Sequence, residues 1–269
     1  MPSHLSTLGF SSADSPELRS ELEAAASLAQ RVPVAEGAYL HWQSPDGLAL
    51  WFQVGPGNVL LGLTPYFSRG AQMNVGITEK LASDTAGPFD VSFHAWAEPS
   101  DADPLDGVYP FIFETPDGLL HRHLSVPARV PLSLSAFAHE LSVFASEEDF
   151  DASQTGEVRY AAQSFIPSGL FSPDLAGKPT PSADAIFSGV VRETRPIRNP
   201  ITGREILWAL TDTLGGSVDV VVDPALVTSP ITAGGVISGS FWLSGRFPQA
   251  PVTPKGLLSR LVARLRPSA

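Results

Sequence analysis

Most of this chain reads as short apolar-rich strands separated by turn residues, with few exceptions. The clearest exception is residues 15–32, SPELRSELEAAASLAQRV. There Leu18, Leu22, Ala25, Ala29 and Val32 fall on one stripe at helical spacing. Ser15 suits the cap, Pro16 the first helical position and Glu17 the positive end of the dipole. Residues 1–34 therefore read as an arm and a helix docked on the main body. Two hairpins follow, YLHWQ-SPDG-LALWFQV and FIFE-TPDG-LLHRHLSV, each with Pro-Asp-Gly turn chemistry between apolar runs.

The hairpins belong to a longer match. A shift of 71 residues aligns 39–67 with 110–138 without a gap and gives eight identities in 29 positions. Turn, proline and alternating strand share one register, which reads as an internal duplication. Each unit predicts a hairpin, a third strand (NVLLGL or RVPLSL), a helix beginning at Thr64 or Ser135, and a closing strand. Phe137, Leu141 and Phe144 form the apolar face of the second of these helices. The closing strands are FDVSFHAWA and VRYAAQSFI. The expectation is an α+β, mostly antiparallel region over 35–166, with β-β-β-α-β repeats at about 39–109 and 110–166.

Residues 167–184 are a linker by composition. Beyond them AIFSGVVRET, REILWALTD, SVDVVVD and VISGSFWLSGRF read as consecutive strands over 185–248. Their order, with turns at Asn199–Gly203 and Leu214–Gly216 and a long crossover before the last strand, resembles an OB-fold, a small Greek-key β-barrel. The end, residues 249–269, predicts a short basic helix. Thr253 caps it, Pro254 starts it, Pro267 stops it, and Leu257, Leu258, Leu261 and Leu265 form its stripe.

Composition narrows the classes. The net charge is -11, with 28 acids against 17 bases, so a broad nucleic-acid surface is disfavoured unless the bases are concentrated locally. Cysteine is absent, which removes disulfides, thiolate metal sites and thiol nucleophiles. The first residues lack the pattern of a secretory signal and no stretch is apolar enough to span a bilayer, so a cytoplasmic location is expected. No phosphate loop, dinucleotide fingerprint, nucleophile elbow or zinc-protease helix is present, and no cofactor is expected.

Bases do concentrate in RETRPIRNPITGRE, residues 192–205. The OB-like reading implies that this hairpin lines a ligand groove. Arg192, Arg198 and Arg204 then become candidates for an anionic ligand or an oligonucleotide, since a guanidinium makes two parallel hydrogen bonds to phosphate or carboxylate. Arg195 points to the other face. Trp242 lies among Ser238, Ser240 and Ser244, as on an exposed strand face, and would supply stacking. The duller alternative is pairing with Glu193, Glu205, Asp212, Asp219 or Asp223. His121 and His123 alternate along an expected strand and form a candidate metal pair, with His94, His139 or Glu140 as third ligand. The loop at Asp101–Gly107 is similar to a calcium loop but lacks its spacing. These readings point to a non-enzymatic binding protein for an anionic ligand or single strand. The alternatives are a metal-dependent hydrolase at His121 and His123, and a protein-docking scaffold.

Overall fold

The computed structural model describes residues 4–81, 87–100, 103, 105–170 and 181–248. Helix α1 (Glu17–Ser27) is followed by four strands: β1 (Gln30–Val34), β2 (Gly37–Gln43), β3 (Leu48–Val54) and β4 (Leu60–Phe67). They pair antiparallel in the order β1-β2-β3-β4. The Pro-Asp-Gly turn joins β2 to β3 as its chemistry predicts. Gly47 takes φ +99°, and a Cβ there would meet the Ser68 carbonyl oxygen at 2.2 Å, so only glycine fits. One face of this sheet, with Trp42, Leu48, Leu50 and Phe52, joins the main core. The other face, with Tyr39, Ala49, Trp51 and Tyr66, packs on Phe89.

The remaining strands form a nine-stranded mixed sheet. They are β5 (Met73–Leu81), β6 (Val91–Ala97), β7 (Pro110–Thr115), β8 (Ala128–Phe144), β9 (Ser164–Ile166), β10 (Asp184–Arg198), β11 (Glu205–Thr213), β12 (Gly216–Val222) and β13 (Val236–Arg246). A short helix α2 (Glu147–Ser153) follows β8, capped by Ser146, whose hydroxyl accepts from the Asp149 N–H. Among the described residues no helix is long and apolar enough to cross a membrane.

The sheet closes on itself. The pairings β10–β11, β11–β12, β12–β8, β8–β13 and β13–β10 complete one ring of strands. The pairings β5–β6, β6–β7, β7–β13, β13–β8 and β8–β5 complete another. The two rings share the β8–β13 ladder. They are also built alike: a three-strand meander leads to a long strand, which pairs antiparallel with the first strand of its own meander and parallel with the last strand of the other. A column of stacked rings fills the space beside the ladder, with Tyr109 on Phe165 at 4.2 Å, Phe165 on Phe187 at 5.6 Å and Phe187 on Phe241 at 3.9 Å.

Several expectations are corrected. The chain is mostly β, and no helix follows Thr64 or Ser135. Residues 136–144 run inside β8, because β13 satisfies their backbone along the whole stretch and tertiary pairing outweighs a helical apolar pattern. Strand β4 continues through Pro65, which is tolerated because β4 is an edge strand and the missing N–H faces no neighbour. Residues Gly118–His121 form a 3-10 turn in place of the return strand of the second hairpin. The segments 39–67 and 110–138 thus fold differently despite their shared register, and the repeat visible in the pairings is β5–β8 against β10–β13. Of VRYAAQSFI only Ser164–Ile166 is a strand. Helix α1 ends early, and Val32 lies in β1. Strand β8 pairs with β12 and β13 across the sequence linker, of which residues 171–180 lie outside the described residues. The basic segment 249–269 also lies outside them.

The two sheets are stapled by Asp219 of β12, which is fully buried. One carboxylate oxygen accepts from Trp208 Nε1 at 2.8 Å. The other accepts from the backbone N–H groups of Arg69, Gly70 and Ala71 at 2.9, 3.2 and 3.2 Å, which fixes the β4–β5 connection. Asp219→Ala leaves these donors without an acceptor at about 1–3 kcal/mol each, so a loss of ~3–5 kcal/mol in unfolding free energy is expected by urea titration. Asp219→Asn keeps one acceptor oxygen and loses less. A change below about 1 kcal/mol for Asp219→Ala would show that the staple is dispensable.

Candidate functional site

The arginine turn is engaged with the protein itself. Arg192 meets Asp212 at 3.4 Å and Ser217 Oγ at 3.3 Å. Arg198 Nε donates to the Gly203 carbonyl of its own turn at 2.8 Å. Arg204 pairs with Glu21 of α1 at 2.8 Å. The guanidinium of Arg195 lies over the Trp208 ring at 5.7 Å. The turn also holds the N-terminal arm: buried Asn199 donates to the Leu8 carbonyl at 2.9 Å, and Thr202 donates to that of Gly9 at 2.6 Å. Arg192 and Arg198 are separated by six residues along β10, about 20 Å at strand rise, so the arginines do not converge.

Trp242 corrects the expectation of an exposed face. It is buried, its Nε1 donates to Glu114 Oε1 at 3.1 Å, and the His4 ring stacks on it at 4.2 Å. A polar strand pattern read as solvent-facing here faces another layer of protein. His121 and His123 do not alternate on a strand either. His121 ends the 3-10 turn with its Nε2 3.4 Å from Asp117 Oδ1, and His123 is exposed. Of the third ligands considered, His139 faces His4 and His94 faces Thr78. Among the described residues no group of three or more His, Asp or Glu is placed to hold a metal ion.

A different cluster forms where the four-stranded sheet meets the end of β13. Arg246, the last residue of that strand, reaches Asp117 with Nε at 2.9 Å and Nη2 at 2.7 Å. Asp117 sits in the second Pro-Asp-Gly turn and is fully buried. The turn is held against β13 because Thr115 Oγ1 donates to the Gly245 carbonyl. The guanidinium of Arg246 lies over Trp51 at 4.6 Å and Tyr66 at 5.6 Å, within cation–π range. The His41 ring stacks on Trp51 at 3.9 Å. These side chains converge because Tyr39, His41, Trp51 and Tyr66 share one face of the sheet by strand alternation and register.

They border a cavity of about 360 Å³ lined by Gln30, His41, Gln43, Tyr66, Ser68 and Arg246, among others. Tyr66 donates to the Ser133 carbonyl at 3.1 Å, and Ser68 Oγ lies 3.0 Å from Ser133 Oγ. Two buried polar atoms at the cavity, His41 Nε2 and Trp51 Nε1, have no hydrogen-bond partner among the described residues, whereas Asp117 Oδ1 and His121 Nε2 face each other. Burial opposes the charge of Asp117, but His121 and Arg246 outweigh it and hold the carboxyl below its usual value. Burial pushes the Tyr66 hydroxyl up to about 12. His41 is pushed from 6.5 to about 4, first by burial and then by the Arg246 charge, so it is neutral at pH 7.

No protein-family model, curated protein or solved structure matches the chain.

The site eluded the sequence because its ion pair spans 129 residues, and the Pro-Asp-Gly turn that holds Asp117 signals a turn and not a buried charge. The legible part was the alternation that puts His41 and Trp51 on one face.

Acid stability reports on the buried imidazoles. His4 is also lowered to about 4, by burial and then by His139. The unfolded chain takes up these protons near pH 6.5, while the folded protein resists them down to about pH 4. The unfolded state therefore binds more protons across that window, and stability falls as pH drops through it. The urea midpoint is expected to fall between pH 6.5 and pH 4, less steeply in His41→Gln. An equally steep curve in that variant would remove His41 from the effect.

Proposed function

We propose that this is a non-enzymatic binding protein that takes a small anionic ligand in the cavity beside Arg246. The observation that carries the reading is the coincidence of two unpartnered buried polar atoms, His41 Nε2 and Trp51 Nε1, with that cavity, since such atoms are few in native proteins and each calls for an explanation. The chemistry of the donors sets the class. Arg246 and Trp51 can only donate, and neutral His41 donates from one ring nitrogen. Gln30, Gln43 and Ser68 add orientable groups. An acceptor-rich guest such as a carboxylate or phosphate answers this set. The volume lies in the range of small-molecule sites. In a chain of net charge -11, a recessed arginine offers an anion a place shielded from the acidic surface.

The reading shifts the anion site from the arginine turn to the end of β13. We read the ring β10-β11-β12-β8-β13 as OB-like, with β8 supplying the fifth strand from earlier in the chain, so that Arg246 lies on the strand that closes this ring. Arg192, Arg198, Arg204 and Trp242 then serve the scaffold through the partners given above. His121 acts by orienting Asp117, with no metal role.

Trp51 provides the test. Titrations with acetate, citrate and inorganic phosphate are expected to give saturable change in tryptophan fluorescence for at least one of them, absent in Trp51→Phe. Arg246→Gln should weaken that binding about tenfold or more, the loss of one charge-assisted hydrogen bond of ~1.5–3 kcal/mol. His41→Gln should weaken it while leaving Arg246 and Asp117 in place. Arg198→Gln and Arg204→Gln should leave it unchanged. No saturable response to any of the three, or equal loss in the arginine-turn variants, would overturn the assignment.

A further inference from the structure

The face of the four-stranded sheet opposite the Arg246 cavity carries a second concavity, with a different character. Helix α1 crosses that face but seals only part of it. Of its predicted stripe, Ala25 is fully buried, whereas Leu18 and Leu22, with the neighbouring Ala26, are only half-buried. Between them and the sheet lies a groove of about 770 Å³, lined also by Leu40, Phe52 and Leu60. Leu60 is 60% exposed at its open end, next to Val59 and Leu61, which are 56% and 51% exposed. Three successive exposed apolar residues beside a half-closed apolar groove are more than scattered surface hydrophobics.

We propose that the groove is the docking site for this chain's own C-terminal segment, residues 254–266, PKGLLSRLVARLR. Three observations select this occupant. The first is reach. The described chain ends at Pro248, which lines the Arg246 cavity together with Gln30 and Val32 of β1. Arg31, between them on the same edge strand, lines the groove on the opposite face. The residues between Pro248 and Pro254 extend to about 17 Å, enough to pass round one strand edge of a sheet whose layers lie about 10 Å apart. The second is pattern. Leu258, Leu261 and Leu265 repeat at the i, i+3, i+7 spacing with which an amphipathic helix fills an apolar groove. As a helix, thirteen residues would span about 20 Å, and one so short would need a surface to hold it. The third is charge. The segment carries four bases, Lys255, Arg260, Arg264 and Arg266, in a chain of 28 acids against 17 bases. Arg19 and Arg31 keep the rim itself near neutral, so the apolar stripe supplies the contact and the field of the body supplies the attraction.

The absence of cysteine makes the test clean. In the full chain, Leu60→Cys is combined with Leu261→Cys and treated with a short bis-maleimide. The tethered segment meets its groove at an effective concentration of about a millimolar, so a cross-linked monomer is expected whose yield does not depend on protein concentration. Leu214→Cys on the β11–β12 turn, paired with Leu261→Cys, is expected to give little. Leu257→Ser with Leu265→Ser, changes confined to the tail, should lower the Leu60 yield to the level of that control. Leu18→Glu with Leu22→Glu should do the same from the groove side, with far-ultraviolet circular dichroism unchanged. Cross-linked dimers would assign the groove to a second copy. Equal yields in the two cysteine pairs, or none in either, would show that the segment does not occupy the groove. Either result overturns the proposal.

Discussion

The β8–β13 ladder is the constraint from which the rest of the architecture follows. It runs from Val236 opposite Phe144 to Arg246 opposite Ser133. Both strands are paired on a further edge as well, β8 with β5 and β12, β13 with β10 and β7. Their backbone groups are thereby satisfied within the protein, which a buried segment requires. The close approach has a local cost that the sequence meets with small residues. A Cβ on Gly239 would lie 2.0 Å from the Glu140 carbonyl oxygen, so glycine is needed there. Ser135 Oγ donates to the Ser244 carbonyl across the ladder at 3.0 Å. Of the serines of β13 that resemble a solvent-facing row, Ser244 is fully buried while Ser238 and Ser240 are half-buried.

The same ladder positions the candidate site. Arg246 is its last residue, so the guanidinium is delivered to one place by the whole register. Asp117 receives it there from a turn that Thr115 holds against Gly245. A buried carboxylate between an arginine and a histidine is costly to form and more costly to half-form, because a partner removed leaves a charge uncompensated. The four-stranded sheet completes the enclosure with Trp51, Tyr66 and His41, and the Asp219 staple keeps that sheet in register with the rings. Polar chemistry is thus concentrated where the two sheets meet. The opposite face of the smaller sheet is apolar, buried in the main core at Trp42, Leu48 and Leu50 and bordered by a groove at Leu40, Phe52 and Leu60.

The strands of this protein were largely legible, and so was one helix. Apolar runs on either side of a Pro-Asp-Gly turn marked β2 and β3, and β10–β13 were bounded by turns of Gly, Asn and Pro, whose conformational preferences are local. The misread elements share a cause. Phe137, Leu141 and Phe144 fit a helix as well as a buried strand, because a strand covered on both faces loses the alternation that identifies it. Residues 119–124 look like the return of a hairpin, but Asp117 is pulled to Arg246 and the chain turns instead. The arginine turn looked like a binding loop because four like charges lie close in sequence, while their partners, Glu21 and Asp212 among them, lie elsewhere.

By itself the sequence determined a β-rich chain, the turn at Ser44–Gly47, a helix within residues 15–32 and the acidic balance, all of which rest on interactions between residues near one another or on a simple sum of charges. Only the tertiary structure decided that two meanders share one ladder, that Trp242 is buried and that Arg246 meets Asp117 across 129 residues. Those outcomes depend on which distant strand supplies the hydrogen bonds and the covering layer. An alternating pattern states that a face is covered without naming what covers it.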